Sequence, residues 1–83
     1  MHQIEMMKQY TEVYPSQNEL ELALEGLEFK DDYMYLGRFE SYEEAVEGLN
    51  RMGAYSIPLK LERGDLKLLS HNGIIYCMLY MWD

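Results

Sequence analysis

The chain has 83 residues, 48% of them hydrophobic, and a formal net charge of −8. A chain of this length forms one domain with one small core, here spanning residues 1–83, and its hydrophobic content excludes disorder as the default state. The negative charge argues against direct binding to nucleic acid or to an anionic membrane, because phosphate recognition needs clusters of lysine and arginine.

The first segment, residues 1–14, is compatible with two structures. Ile4, Met7 and Tyr10 have helical spacing, whereas residues 10–14 are equally compatible with an extended chain. Pro15 ends either structure, because proline disfavours helical geometry in the residue before it.

The second segment begins with Ser16, whose S-x-x-E sequence predicts a capping box and a helix. The leucines and glutamates between residues 19 and 25 also alternate as in a strand, and Leu22 lies off the helical apolar stripe. The cap favours the helix, with Gly26 as its predicted end. The predicted inner face consists of Leu20, Ala23, Leu24 and Leu27.

A strand rich in aromatic residues is predicted from Tyr33 to Phe39. Ser41 then begins a second S-x-x-E sequence, which predicts a helix that ends at Gly53. Three C-terminal strands are predicted at residues 56–62, 66–70 and 74–82, with an Asn-Gly hairpin turn between the last two. Pro58 places the first of them at a sheet edge or strand start.

These elements predict an α+β fold of two layers. Two acidic helices would pack on a mainly antiparallel sheet that includes a C-terminal meander of three strands. The last strand is apolar on both faces, so it needs cover on each side or a partner on one. Tyr76, Tyr80 and Trp82 share one of these faces and form a candidate self-association surface.

The negative charge is concentrated between residues 19 and 47, which we call the acidic segment. It contains ten acids against two bases, Lys30 and Arg38, and so accounts for the whole net charge. The ten acids are Glu19, Glu21, Glu25, Glu28, Asp31, Asp32, Glu40, Glu43, Glu44 and Glu47. From Glu40 to Glu47, a helix would carry about one carboxylate per 2.6 Å, against one charge per ~1.7 Å of B-DNA.

Two stretches of the acidic segment are nearly the same. ELALEGL at residues 21–27 and EEAVEGL at residues 43–49 are identical at five of seven positions. Any amphipathic helix with glutamates outside and leucine or alanine inside has this spacing, so the similarity alone does not establish a duplication.

No catalytic or metal site is predicted. His71 and Cys77 are six residues apart with no third group indicated, and a turn histidine and a buried thiol explain them. Asp31 and Asp32 have no companion ligands at a recognisable spacing. One cysteine permits neither a disulfide framework nor a cysteine-based zinc site. We expect a non-enzymatic protein with no cofactor and no metal.

No signal-peptide pattern occurs at residues 1–5, and the longest apolar run, residues 74–82, is too short for a membrane-spanning helix. We therefore expect a cytoplasmic protein.

The function favoured by these features is that of a small acidic inhibitor that blocks a basic, nucleic-acid-binding surface of a target protein. Phage anti-defence proteins directed against CRISPR-type complexes, nucleic-acid mimics and immunity proteins have this profile of size and charge. The expected contact residues are Glu40, Glu43, Glu44 and Glu47, then Glu21, Glu25 and Glu28, with Asp31, Asp32, Tyr33 and Tyr35. The alternative is a structural or adaptor protein that forms a homo-oligomer through its aromatic C-terminal strand, in which case the acidity maintains solubility.

Overall fold

The structure, a computed structural model, describes residues 2–53 and 56–82. In chain order the elements are α1 (His2–Tyr10), β1 (Thr11–Val13), α2 (Gln17–Phe29), β2 (Tyr33–Phe39), α3 (Tyr42–Arg51), α4 (Ile57–Arg63), β3 (Leu66–His71) and β4 (Ile74–Tyr80). The strands form one mixed sheet in the order β1-β3-β4-β2. β1 is parallel to β3, and the other two pairings are antiparallel. β4 is therefore internal and β2 lies at an edge.

The serines of both predicted capping boxes act as N-caps, and these caps explain where α2 and α3 begin. The Ser16 hydroxyl accepts a hydrogen bond from the Glu19 amide at 3.2 Å, and the Ser41 hydroxyl accepts one from the Glu44 amide at 3.1 Å. The Glu44 carboxylate in turn accepts a bond from the Glu40 amide at 3.2 Å. These bonds satisfy amide groups that have no partner inside the helix, so the helical interpretation of the second segment is confirmed.

The helix ends differ from each other. α3 ends as predicted, with Gly53 in the left-handed region at φ 80° just beyond it. α2 instead continues through Gly26 as far as Phe29, because Leu27 extends the apolar face that packs on the sheet.

The N-terminal segment contains both of the structures that its sequence permitted. Residues 2–10 form α1, whose Met7 is fully buried, and residues 11–13 form the short strand β1. The Thr11 hydroxyl donates to the Met7 carbonyl where the helix changes into the strand.

The predicted strand at residues 56–62 is wrong, because Ile57–Arg63 forms the helix α4. Ile57 and Leu61 are buried whereas Leu59 is 48% exposed, which is the pattern of a helix and not of a strand. Pro58 lies in the first turn, where its missing amide costs no bond, and Gly64 ends the helix at φ 80°. The predicted C-terminal meander is consequently reduced to the β3–β4 hairpin, which turns at Asn72 and Gly73 as expected.

The α+β class is confirmed, and helices cover both faces of the sheet. On one face α1, α3 and α4 bury Ile75 and Cys77 of β4; on the other, α2 buries Tyr76 and Met78. The expected two layers therefore become three, and the acidic helices α2 and α3 lie on opposite faces. The apolar character of both faces of β4 requires this arrangement.

The glycines of the two similar stretches provide a test of the packing. A Cβ atom on Gly48 would clash with the Phe39 ring, whereas one on Gly26 would meet nothing within 4 Å. We expect Gly48→Ala to lower the free energy of unfolding by about 1–3 kcal/mol, because the ring has to move. Gly26→Ala should raise it by about 0.5–1 kcal/mol, since alanine favours a helix interior. Urea unfolding of both variants measures this, and equal effects would contradict the packing.

Candidate functional site

The ten acids of the acidic segment are all exposed, and they lie either on the two helices that pack against the edge strand β2 or next to the ends of that strand. Asp31 and Asp32 immediately precede β2, and Glu40 immediately follows it. α2 packs against β2 from one face of the sheet and α3 from the other. The acids therefore do not form one continuous face, but they are grouped around one strand.

The α2 side of β2 joins acids to an aromatic side chain. A cleft of about 200 Å³ is lined by Glu25 and Glu28 together with Leu24, Tyr35 and Met78. Tyr35 is 44% exposed. Its pKa is raised, first by desolvation and then by Tyr76, while Arg38 opposes the shift. An apolar floor with carboxylates at the rim is suited to the aliphatic stem and cationic head of lysine or arginine.

Two exposed apolar residues, Leu22 and Phe29, lie on the same helix as Glu25 and Glu28 and were not predicted as contact residues. They are 61% and 78% exposed and lie seven residues apart, hence on the same side of the helix. The sequence contains a signal for the first of them, because Leu22 lies off the helical apolar stripe.

Tyr33 has a structural role, unlike Tyr35. Its hydroxyl donates to the Gly64 carbonyl at 2.6 Å, and its ring packs edge-on against Tyr80 with centroids 5.4 Å apart. Desolvation raises its pKa first, followed by Asp31 and Asp65. The Tyr33 hydrogen bond thus connects the start of β2 to the turn between α4 and β3.

Asp31 and Asp32 line a cavity of about 430 Å³ together with Tyr33. Lys30 and Lys67 line the same cavity, so its electrostatic character is mixed. The Lys67 ammonium also lies 5.9 Å from the Tyr33 ring centroid. These two acids are therefore less available to an external cation than Glu25 and Glu28.

On the α3 side, several acids have local partners. Glu44 completes the cap described above, and Glu47 forms an exposed ion pair with Arg51 at 3.9 Å. Glu43 lines a cavity with Glu5 and Lys8, which belong to α1. The structure thus brings Tyr35 together with Glu25 and Glu28, and Tyr33 together with Asp31 and Asp32.

The candidate self-association surface is divided. Tyr76 is buried beneath α2 and is thereby removed from it, because β4 is the internal strand. Tyr80 is 38% exposed, and Trp82, which lies beyond the end of β4, is 62% exposed.

His71 and Cys77 make separate local interactions. One ring nitrogen of His71, Nδ1, lies 2.9 Å from the Tyr14 carbonyl oxygen. Burial among apolar side chains raises the pKa of the Cys77 thiol to about 12, so the thiolate is scarce at neutral pH. Residues 2–53 and 56–82 contain no group of three potential metal ligands, and none of their helices has the length and apolarity needed to cross a bilayer.

Comparison with known proteins finds no family, no curated protein and no solved structure that matches this chain.

The different roles of Tyr33 and Tyr35 can be measured. We expect Tyr33→Phe to lower the free energy of unfolding by about 1 kcal/mol, because the bond to the Gly64 carbonyl is lost. Tyr35→Phe, the matched control on the same strand, should leave it within about 0.5 kcal/mol of the native value. Urea unfolding compares the two, and a larger loss in the control would contradict this assignment.

Cys77 gives a pH dependence. Its pKa is raised above its ordinary value of 9.0, so the unfolded chain loses this proton at a lower pH than the folded protein. The unfolded state then binds fewer protons, and stability should fall as pH rises above about 9, by at most about 1.4 kcal/mol per pH unit. Urea unfolding between about pH 8 and 10 should show a shallower slope for Cys77→Ala than for the native protein. Identical slopes would exclude this cause.

Proposed function

We propose that this protein is a small acidic binding protein that blocks a basic surface of a target protein, namely the surface with which that target holds nucleic acid. The observation that carries the proposal is the exposure of all ten acids of the acidic segment around one edge strand. Such a surface attracts lysine and arginine clusters and accelerates association with a basic cleft.

The folding role of these acids explains only part of their number. Glu19 and Glu44 belong to the caps, and Glu47 pairs with Arg51. Like charges at Glu21 and Glu25, four residues apart on α2, repel each other by a few tenths of a kcal/mol. A binding role accounts for the retention of this repulsion, since the same charges would be neutralised by a basic partner.

Within the acidic segment we assign the main contact to the α2 side. Glu25 and Glu28 adjoin the half-exposed Tyr35, and Leu22 and Phe29 lie on the same helix. Tyrosine and phenylalanine contribute apolar area at interfaces, while the glutamates supply the charge complementarity. A phage anti-defence or immunity-type inhibitor of a nucleic-acid enzyme or CRISPR-type complex has this combination of properties.

The second candidate function, self-association as a structural or adaptor protein, is supported by the exposed Met81 and Trp82 beyond β4. This contact is apolar, so an oligomer formed through it would persist at high salt, where screening abolishes charge-driven binding. Sedimentation at low and high salt distinguishes the two candidates.

Two variants with equal loss of charge test the proposal. One carries Glu21→Gln, Glu25→Gln, Glu28→Gln and Asp31→Asn on the α2 side. The other carries Glu40→Gln, Glu43→Gln, Glu44→Gln and Glu47→Gln on the α3 side, where glutamine still permits the cap. Each is used for affinity capture from nuclease-treated bacterial lysate at low and high salt, with mass spectrometry of the bound proteins.

We expect the native protein to retain a nucleic-acid-binding target at low salt and to release it at high salt. The α2-side variant should bind that target at least about tenfold more weakly than the native protein, which is a loss of roughly 1.4 kcal/mol in binding free energy. The affinity of the α3-side variant should stay close to that of the native protein. Retention of the target by both variants would refute charge-driven inhibition. A loss confined to the α3-side variant would move the contact to the other face.

A further inference from the structure

Among the described residues, no strand pairs with the outer edge of β2, and the first half of β2 directs backbone groups toward that edge. The Met81 amide donates to the Asp32 carbonyl at 3.1 Å, which makes Tyr33–Tyr80 a pair without hydrogen bonds between its own two residues. Tyr35–Met78 is the next pair of the same kind. The amide and carbonyl groups of Tyr33 and Tyr35 therefore point away from β4, toward the free edge of the sheet.

β2 has few of the features that protect edge strands from pairing. It is seven residues long, contains no proline and has a single charged residue, Arg38. A bulge between Tyr35 and Gly37 interrupts the second half of the strand. The first half, residues 33–35, is regular, and among the described residues no strand pairs with its outer side.

The charges around β2 indicate what can occupy this edge. Asp31 and Asp32 precede the strand, Glu40 follows it, and Glu25 and Glu28 lie beside it on the α2 face. A second copy of the chain would bring another net charge of −8 to the same edge. Like charges at close range oppose that pairing, whereas a cationic segment is attracted.

We propose that an extended, lysine- or arginine-rich segment of the target pairs with residues 33–35 of β2 as an additional strand of the sheet. This inference rests on the proposed function and specifies how the α2 side binds. Main-chain bonds to Tyr33 and Tyr35 supply the backbone part of the contact, as in other cases of strand addition.

The cleft between α2 and β2 supplies the side-chain part. A residue of the added strand directly beside Tyr35 projects to the same face of the sheet as the Tyr35 side chain. On that face, Leu24 and Met78 offer apolar contact while Glu25 and Glu28 offer carboxylates. The aliphatic stem of a lysine would contact Leu24 and Met78, and its ammonium group would lie near the two glutamates. The Tyr35 ring can face the same cation.

A short model peptide serves as the probe. It alternates lysine and valine, is blocked at both ends and is about seven residues long, to match β2. A second version is N-methylated at alternate residues, which removes the amides on one edge, and a third has glutamate in place of lysine. Binding and amide hydrogen exchange are measured by NMR on the native protein.

We expect the lysine peptide to bind and to slow hydrogen exchange at the Tyr33 and Tyr35 amides. N-methylation of the peptide should weaken binding about tenfold or more, since hydrogen bonds to β2 are lost. The glutamate peptide should not bind measurably, because its charge has the sign of the surface.

A pair of variants tests the protein side of the same contact. Tyr35→Pro removes the tyrosine ring and the outward amide without breaking a backbone bond to β4. Tyr35→Ala is the control, because it removes the ring but keeps the amide. The proline variant should bind the peptide at least about fivefold more weakly than the alanine variant. Circular dichroism checks that both are folded, and the N-methylated peptide gives the same information without altering the protein.

Equal binding of the N-methylated and unmethylated lysine peptides would overturn strand addition while leaving charge-driven inhibition intact. Absence of binding by the lysine peptide would also overturn it, and the capture of a target by the α2 acids would then need another geometry. Protection of the Tyr33 and Tyr35 amides in a dimer without peptide would identify a second copy as the occupant and refute the basic one.

Discussion

The burial of β4 on both faces is the constraint on which the rest of the structure depends. Ile75 and Cys77 project to one side of this strand, and Tyr76 and Met78 to the other. Each side requires an apolar cover, and in a chain of 83 residues helices supply both. Because α2 covers one face and α1, α3 and α4 the other, the two acidic helices are separated by the thickness of the sheet. The same arrangement leaves β2 with one paired edge and one open edge.

Two nearly identical stretches therefore serve different purposes. In ELALEGL, Gly26 lies at a point of α2 where a side chain would meet open space; in EEAVEGL, Gly48 permits close contact between α3 and the Phe39 ring. The shared spacing reflects what any amphipathic helix needs, and the tertiary contacts decide what each residue does. The acids follow the same rule, since Glu44 and Glu47 of α3 have local partners whereas Glu25 and Glu28 border the Tyr35 cleft.

The elements that sequence reasoning predicted well are those with local chemical signals. Ser16 and Ser41 predict the start of their helices because their capping bonds are made within four residues. Asn72 and Gly73 predict the hairpin because both residues favour the backbone geometry of its turn. α4 is a helix where the sequence predicts a strand, because Ile57 and Leu61, four residues apart, fit both periods over so short a range. Leu59 completes the pattern of a strand, and its exposure in the structure is what separates the two interpretations. Pro58 and Gly64 favour the helix, since a proline in the first turn and a glycine just beyond the end are typical of helices.

The candidate site was predictable in composition but not in arrangement. The sequence shows where the ten acids and the tyrosines are in the chain. No local sequence pattern predicts that the Tyr33 hydroxyl bonds to the Gly64 carbonyl while Tyr35 remains half-exposed. The edge position of β2 is likewise a property of strand order, which long-range pairing determines.

The negative charge around β2 affects which strands can pair with its open edge. An aromatic edge strand without proline is a template for aggregation, and flanking carboxylates oppose its pairing with an identical copy without opposing a basic partner. The negative charge of the acidic segment thereby excludes the wrong occupant of β2 and attracts the proposed one. On the proposed function, a single electrostatic feature would oppose pairing with a second copy and favour a basic partner at the same strand.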